Sequence, residues 1–121
     1  EVVLFKSRNG HFEADIAING TDVDMLVDTG ATGIALTFED AERLGLNPDG
    51  LDFNRTVMTA NGPAKIAMVR LDRVAVGAIA RRGLAAGIAE RGKLEQSLLG
   101  MSFLGTLSSV TFSGAELRLR D

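Results

Sequence analysis

Met25-Leu26-Val27-Asp28-Thr29-Gly30-Ala31-Thr32 is the stretch on which the reading of this chain turns. Three apolar residues lead into one acid, followed by a small hydroxyl residue, a glycine and an alanine, so a carboxylate stands at the end of a strand that otherwise reads as buried. Burying an isolated carboxylate is costly unless it is paired, hydrogen-bonded or protonated. Asp28 is therefore a candidate for chemistry. The hydroxyl of Thr29 can anchor the loop to a neighbouring backbone, and Gly30 lets a second backbone approach closely. Taken alone, Asp-Thr-Gly is more often a turn whose acid accepts hydrogen bonds from the next amides, so the surrounding pattern decides.

Upstream, Phe12, Ala14, Ile16 and Ile18 alternate with Glu13, Asp15 and Ala17, which predicts a half-buried strand. Asn19-Gly20 is a strong hairpin signal and returns the chain through Val23 and Met25 to Asp28. A shorter strand is predicted over 2–5. Downstream, 34–36 reads as a strand, and Thr37 as the N-cap of a helix over 38–44, with Asp40 at the third helical position and Gly45 as its stop. Pro48-Asp49-Gly50 is a turn. Residues 53–76 read as strand broken once over 60–63, which makes a long hairpin with a small-residue tip. One or two strands are predicted over 79–88 around Arg81-Arg82-Gly83, with the arginine pair as a solvated turn. A polar loop over 90–97 leads into Leu98-Leu99-Gly100, then a helix over 101–107. Val110-Thr111-Phe112 and Leu117-Arg118-Leu119 close the chain as two short strands around Ser113-Gly114.

Composition limits the function classes. The 121 residues, 45% of them hydrophobic and including 14 glycines, suit one globular, turn-rich domain over 1–121. A formal net charge of −3 gives no basic face for nucleic acid. With no cysteine and one histidine, no thiolate site or ligand-spaced metal motif exists, and no glycine loop for phosphate is present. No cofactor is implied. Gly100-Met101-Ser102-Phe103-Leu104 approaches the G-x-S-x-G nucleophile elbow, but its last glycine is missing and His11 is the sole histidine, so Ser102 reads as a helix start and His11 as a surface or cap residue.

Four segments carry a resemblance: Val27-Asp28-Thr29-Gly30-Ala31-Thr32, Ala41-Glu42-Arg43-Leu44-Gly45-Leu46, Thr59-Ala60-Asn61-Gly62 and Leu98-Leu99-Gly100-Met101-Ser102-Phe103-Leu104. Together they resemble the retropepsin-like aspartic proteases, and within them the bacterial single-domain members. The resemblance covers nearly the whole chain. It implies a mostly β, closed-barrel acid protease fold of a single lobe with one or two short helices. It implies an aspartic endopeptidase with Asp28 as catalytic residue and Thr29 and Gly30 supporting the loop. Ala31, Thr32, Met58, Thr59, Ala60, Asn61 and Gly62 would contact substrate, the last five on a hairpin that acts as a flap. Leu98, Leu99 and Gly100 would pass beneath the catalytic loop. Bacterial members often carry an N-terminal membrane anchor, which implies a periplasmic or membrane-anchored protein held by a segment outside this chain. Two departures from the viral pattern stand out: Thr32 replaces a second acid, and Met101-Ser102 replaces an Arg-Asn or Arg-Asp pair.

Hydrolysis by carboxylates needs two of them sharing one proton, because like charges a few ångströms apart cannot both ionise. This chain offers one acid in that context. A two-fold homodimer with Asp28 from each copy at the axis is the economical solution, and its pair would titrate as a unit with an acidic-to-neutral optimum. The expected partners are a second copy and an extended polypeptide, bound by strand addition, with apolar side chains flanking the cut. The alternative is a catalytically silent dimerisation or peptide-binding module on the same fold.

Overall fold

The computed structural model describes residues 1–59 and 62–121. Ten strands and two short helices follow one another as β1 (Val2–Phe5), β2 (Glu13–Ile18), β3 (Thr21–Val27), β4 (Ile34–Leu36), α1 (Phe38–Arg43), β5 (Arg55–Thr59), β6 (Gly62–Val76), β7 (Ile79–Ala89), β8 (Ser97–Leu99), α2 (Met101–Leu104), β9 (Ser109–Ser113) and β10 (Glu116–Arg120). A single 3₁₀ turn, Pro48–Gly50, follows α1.

The hairpin signal at Asn19-Gly20 is realised with both residues at positive φ, 50° and 87°, the combination a two-residue turn of the favoured twist requires. Asn19 also reaches across the barrel: its N–H donates to the carbonyl of Arg73, and its side-chain oxygen accepts from the Arg73 N–H. Beside this clamp, Ala17 pairs with Ala75 and Ile18 with Val74, joining β2 to β6. That seam closes β2, β3, β8, β4, β7 and β6 into a six-stranded barrel, and β5 extends beyond it on the outer side of β6. Ile16, Ile18, Met25, Leu36, Leu71, Ile88, Leu99 and Phe103 fill the interior and are fully buried. The inward alternation read from β2 therefore points where expected.

A second sheet, ordered β1-β10-β9, packs below. Its buried face presents Leu117 and Leu119. Its outer face holds Arg118 and Arg120, both ion-paired with Glu1. The hydrogen bond from Arg120 holds the Glu1 carboxyl below its usual range.

Helix α1 starts as read: Thr37 is the N-cap, its hydroxyl oxygen accepting from the Asp40 N–H at 3.0 Å, and Gly45 follows at φ 74°. Three expectations are corrected. Arg81 and Arg82 are not a turn: they lie inside β7, one continuous strand of 11 residues, and the chain reverses at Gly77, whose φ is 55°. Arg81 stays ordered there because its guanidinium donates to Thr106 Oγ1 and pairs with Asp121 at 2.7 Å. The helix expected over 101–107 is a single turn, since Gly105 and Thr106 bend into a tight turn capped by the Thr106 hydroxyl on the Phe103 carbonyl. The break expected over 60–63 is narrower, because Gly62 and Pro63 already pair with Thr59 and Met58. Ala60 and Asn61 lie outside the described residues.

Candidate active site

Asp28 is the first residue after β3, and the parallel pairing of β3 with β8 sets Val27 opposite Leu99. The Asp28 N–H then donates to the Leu99 carbonyl at 3.0 Å, so the strand ladder continues through the acid. Its side chain turns back onto its own loop, where Oδ1 accepts from the Gly30 N–H at 2.8 Å. The Ala31 N–H donates to the Asp28 carbonyl, closing a tight turn. Asp28 is half-buried, with Thr29, Gly30 and Thr32 exposed around it and Ala31 half-buried. The Thr29 side chain makes no hydrogen bond among the described residues.

Leu98-Leu99-Gly100 runs directly under this loop. Leu98 pairs with Leu26 on one side and Ala35 on the other, and Leu99 is fully buried. Past Gly100 the chain turns into α2, and the first two amides of that turn are spent on the loop: Met101 N–H donates to the Ala31 carbonyl at 2.8 Å and Ser102 N–H to the Thr32 carbonyl at 2.9 Å. Gly100 itself has ordinary φ, and close approach is what demands glycine there, since a Cβ would collide with the carbonyls of Gly33 and Ala31. Asp28, Gly30, Ala31, Thr32, Leu98, Leu99 and Gly100 are thus one hydrogen-bonded unit.

Met58, Thr59 and Gly62 stand elsewhere, on the β5–β6 hairpin. Met58 is 77% exposed, and the Thr59 hydroxyl donates to the Gly62 carbonyl at 2.7 Å. A recess is lined by Thr56, Pro63, Ala64 and Lys65 of that hairpin with Glu90 and Lys93 of the loop before β8. Ser102 has no base beside it: its hydroxyl is buried without a hydrogen-bond partner among the described residues, and His11 is exposed. Those two facts remove the nucleophile-elbow reading.

The residue that sequence reasoning missed is Ser97, fully buried at the start of β8. Its hydroxyl donates to Asp40 Oδ2 at 2.6 Å and accepts from the Thr37 N–H at 3.0 Å, tying the N-cap of α1 to the strand that supports Asp28. Its only signal in sequence is a hydroxyl residue at the mouth of an apolar run.

This geometry has counterparts among known proteins. A family described as "gag-polyprotein putative aspartyl protease" matches residues 14–106, which include both the Asp28 loop and the element beneath it. The chain belongs to this family of retropepsin-like aspartic proteases. A retropepsin-like aspartic protease from Rickettsia conorii is 35% identical and superposes with a TM-score of 0.88, covering 98% of this chain and 88% of that one. The EIAV protease complexed with the inhibitor HBY-793 is 16% identical with a TM-score of 0.70, covering 88% of this chain and 97% of that one, and shows the shared retropepsin fold. An uncharacterised protein in the cobV 5′ region of Sinorhizobium sp is 57% identical over all 121 residues, and the Rickettsia prowazekii (strain Madrid E) protein RP867 is 40% identical over 104 residues, 86% of this chain. The retropepsin-like chain spans about half the length of these curated relatives, 52% and 44% respectively. Among the described residues no helix is long and apolar enough to cross a membrane.

Proposed function

We propose that this protein is an aspartic endopeptidase that cuts extended polypeptides, with a site completed only when two copies bring their Asp28 residues together. The observation that carries this is the half-used state of Asp28. One carboxylate oxygen is held by the Gly30 N–H, the acid is half-buried at the rim of the barrel, and Thr29 beside it is exposed with its hydroxyl unspent among the described residues. A partner loop would take up both groups. Family membership and the fold support the same chemistry.

In the paired site one carboxyl is protonated and the other ionised. The ionised Asp28 takes a proton from a water held between the two, and the oxygen of that water attacks the scissile carbonyl carbon. The protonated Asp28 of the other copy donates to the carbonyl oxygen, forming a neutral geminal diol. The diol collapses as the C–N bond breaks, the Asp28 that took the water proton giving it to the departing amide nitrogen while the other Asp28 takes a proton from a diol hydroxyl, which leaves one proton on the pair again. The β5–β6 hairpin serves as the cover over bound substrate, excluding water and aligning backbone by strand-like hydrogen bonds. Ala31, Thr32, Met58, Thr59, Ala60, Asn61 and Gly62 are the proposed contacts with it.

The test is peptide cleavage measured per subunit over a wide concentration range, with Asp28→Asn alongside. Activity per subunit that climbs with concentration and saturates, together with a folded and inactive variant, is the expected result. Cleavage by a strictly monomeric protein, or by the Asn variant at the wild-type rate, would overturn the shared-site reading. A folded dimer that cleaves nothing would mark a silent binding module.

A further inference from the structure

One face of the barrel wall can be followed from Asp28 out to the β5–β6 hairpin. Asp28 stands two residues after Leu26 and its N–H continues the same ladder, so the two lie on one face. Paired residues share a face, and the pairs run from Leu26 to Leu98, from Leu98 to Ala35, and from Ala35 to Gly87. Gly87 and Ala89 are alternate residues of β7, and Ala89 pairs with Ile66, the last residue of β6 that β7 accompanies. The opposite face is the barrel core, where Val27, Leu99, Ile34, Leu36, Ala86 and Ile88 are buried. On the Asp28 face, Leu26, Leu98, Ala35 and Ile66 are only half-buried. A half-open apolar strip thus leads from the acid and ends at Ile66.

Gly87 is the position of this strip without a side chain, and Ile66 occupies its space. A Cβ on Gly87 would stand 2.8 Å from Ile66 Cδ1, while Ile66 Cβ and Cγ1 would be at 3.7 Å and no other atom nearer. Glycine inside a strand weakens it and marks a place where another group comes close. Here that group is a single methyl. Among the described residues, 56–59 and 62–65 pair only with each other. Ile66 is therefore seated at the root of a ribbon that no third strand steadies.

We propose that Ile66 is a positioning residue: its Cδ1, seated over Gly87, sets the angle at which the hairpin leaves the sheet on the Asp28 side, and so how firmly substrate is held. The inference rests on the reading that this hairpin covers a polypeptide bound at Asp28. A hairpin without a fixed angle must be ordered each time substrate binds, and that ordering is subtracted from the binding free energy. Neither Ile66 nor Gly87 takes part in bond breaking. Loosening the seat therefore weakens substrate and transition state alike, which raises KM and leaves kcat in place.

The test is two single variants and their combination. Ile66→Val removes the seated methyl, and Gly87→Ala fills the seat so that the Ile66 side chain must move. Gly87→Ala/Ile66→Val shifts one methyl from one side of the contact to the other, conserving volume, and the new Cβ meets the Ile66 atoms that valine keeps at 3.7 Å. Each single variant is expected to raise KM about threefold or more with kcat within about twofold, and the double variant to return KM toward the wild-type value. Hydrogen exchange reads the same seat without cleavage: amides of 56–59 and 64–65 should exchange faster in the single variants than in the wild type or the double variant, with the Asn19 and Arg73 amides unchanged. Folded single variants with wild-type KM and wild-type exchange would overturn the seat while leaving the two-aspartate site standing. A double variant no better than the worse single variant, the mark of ordinary lost packing, would overturn it as well. A wild-type protein that cleaves no peptide would overturn both.

Discussion

Gly100 lies so close beneath Ala31 that a Cβ on it would stand 2.6 Å from the Ala31 carbonyl oxygen. The same oxygen accepts the Met101 N–H, so it cannot swing away without breaking the bond that holds the Asp28 loop. Both obstructing groups are backbone, and backbone does not yield as a flexible side chain does. Gly100→Ala is expected to destabilise the protein by about 3 kcal/mol or more. Urea denaturation checks this, and a loss below about 1 kcal/mol would show that loop and strand can separate cheaply.

Ser97 makes a different kind of contribution, through satisfaction of buried polar groups. Replacing it by alanine leaves the Thr37 N–H without its acceptor and Asp40 without its short donor. Ser97→Ala is expected to cost about 2 to 3 kcal/mol, the penalty of stranding a buried amide. Ser97→Thr retains the hydroxyl and should recover part of that loss. Equal stability of the alanine variant would mean that water replaces the hydroxyl.

Local chemistry made much of this fold legible in the sequence. The Asn19-Gly20 turn, the Thr37 cap with Asp40 three residues on, and the alternation of β2 each follow from interactions within a few residues, and each is found where expected. The Asp28 loop and the Leu98-Leu99-Gly100 element were legible as a pair because their spacing along the chain carries a family resemblance. What could not be read depends on distant partners. Arg81 looked like a turn residue because nothing near it in sequence discloses Thr106 and Asp121, which hold it inside a strand. Ser97 looked unremarkable for the same reason, its partners lying 57 and 60 residues away. Helix α2 was overextended because the apolar run after Gly100 has helical spacing, while the Thr106 hydroxyl on the Phe103 carbonyl ends it after one turn.

Ser102 allows a prediction of opposite sign. Its hydroxyl is buried with no hydrogen-bond partner among the described residues, an unfavourable placement that alanine would relieve. Ser102→Ala should leave stability unchanged or raise it by up to about 1 kcal/mol, read as an equal or higher thermal midpoint. A loss of more than that would reveal a bound water at the hydroxyl.

Asp24 sets a pH dependence. It sits directly opposite Asp15 in the β2–β3 ladder, and like charges so placed repel. Burial, then the neighbouring Glu13, Asp15 and Asp40, raises its pKa above the ordinary 3.8. The folded protein thus holds this proton more tightly than the unfolded chain does, so the residue's contribution falls as pH rises through the carboxylate range. Because the group is largely exposed, the effect is below about 1 kcal/mol. Asp24→Asn should raise the midpoint near pH 7 by no more than about 4 °C and lose that advantage near pH 3, where both proteins are uncharged at this position. A gain that persists at low pH would assign the effect to something other than charge.

Strand β6 runs 15 residues, and its neighbours change along the way. Its last pair with β7 is Ile66 with Ala89, and beyond that point only β5 accompanies it. Residues 56–59 and 62–65 therefore pair only with each other, an arrangement of marginal stability on its own. Ala67, next along, is buried, and the seam at Ile18 and Val74 lies further on still. The stretch of β6 that β5 alone accompanies and the stretch that closes the barrel are thus separate parts of one strand, so the ribbon can open locally while the pairs at the seam stay intact.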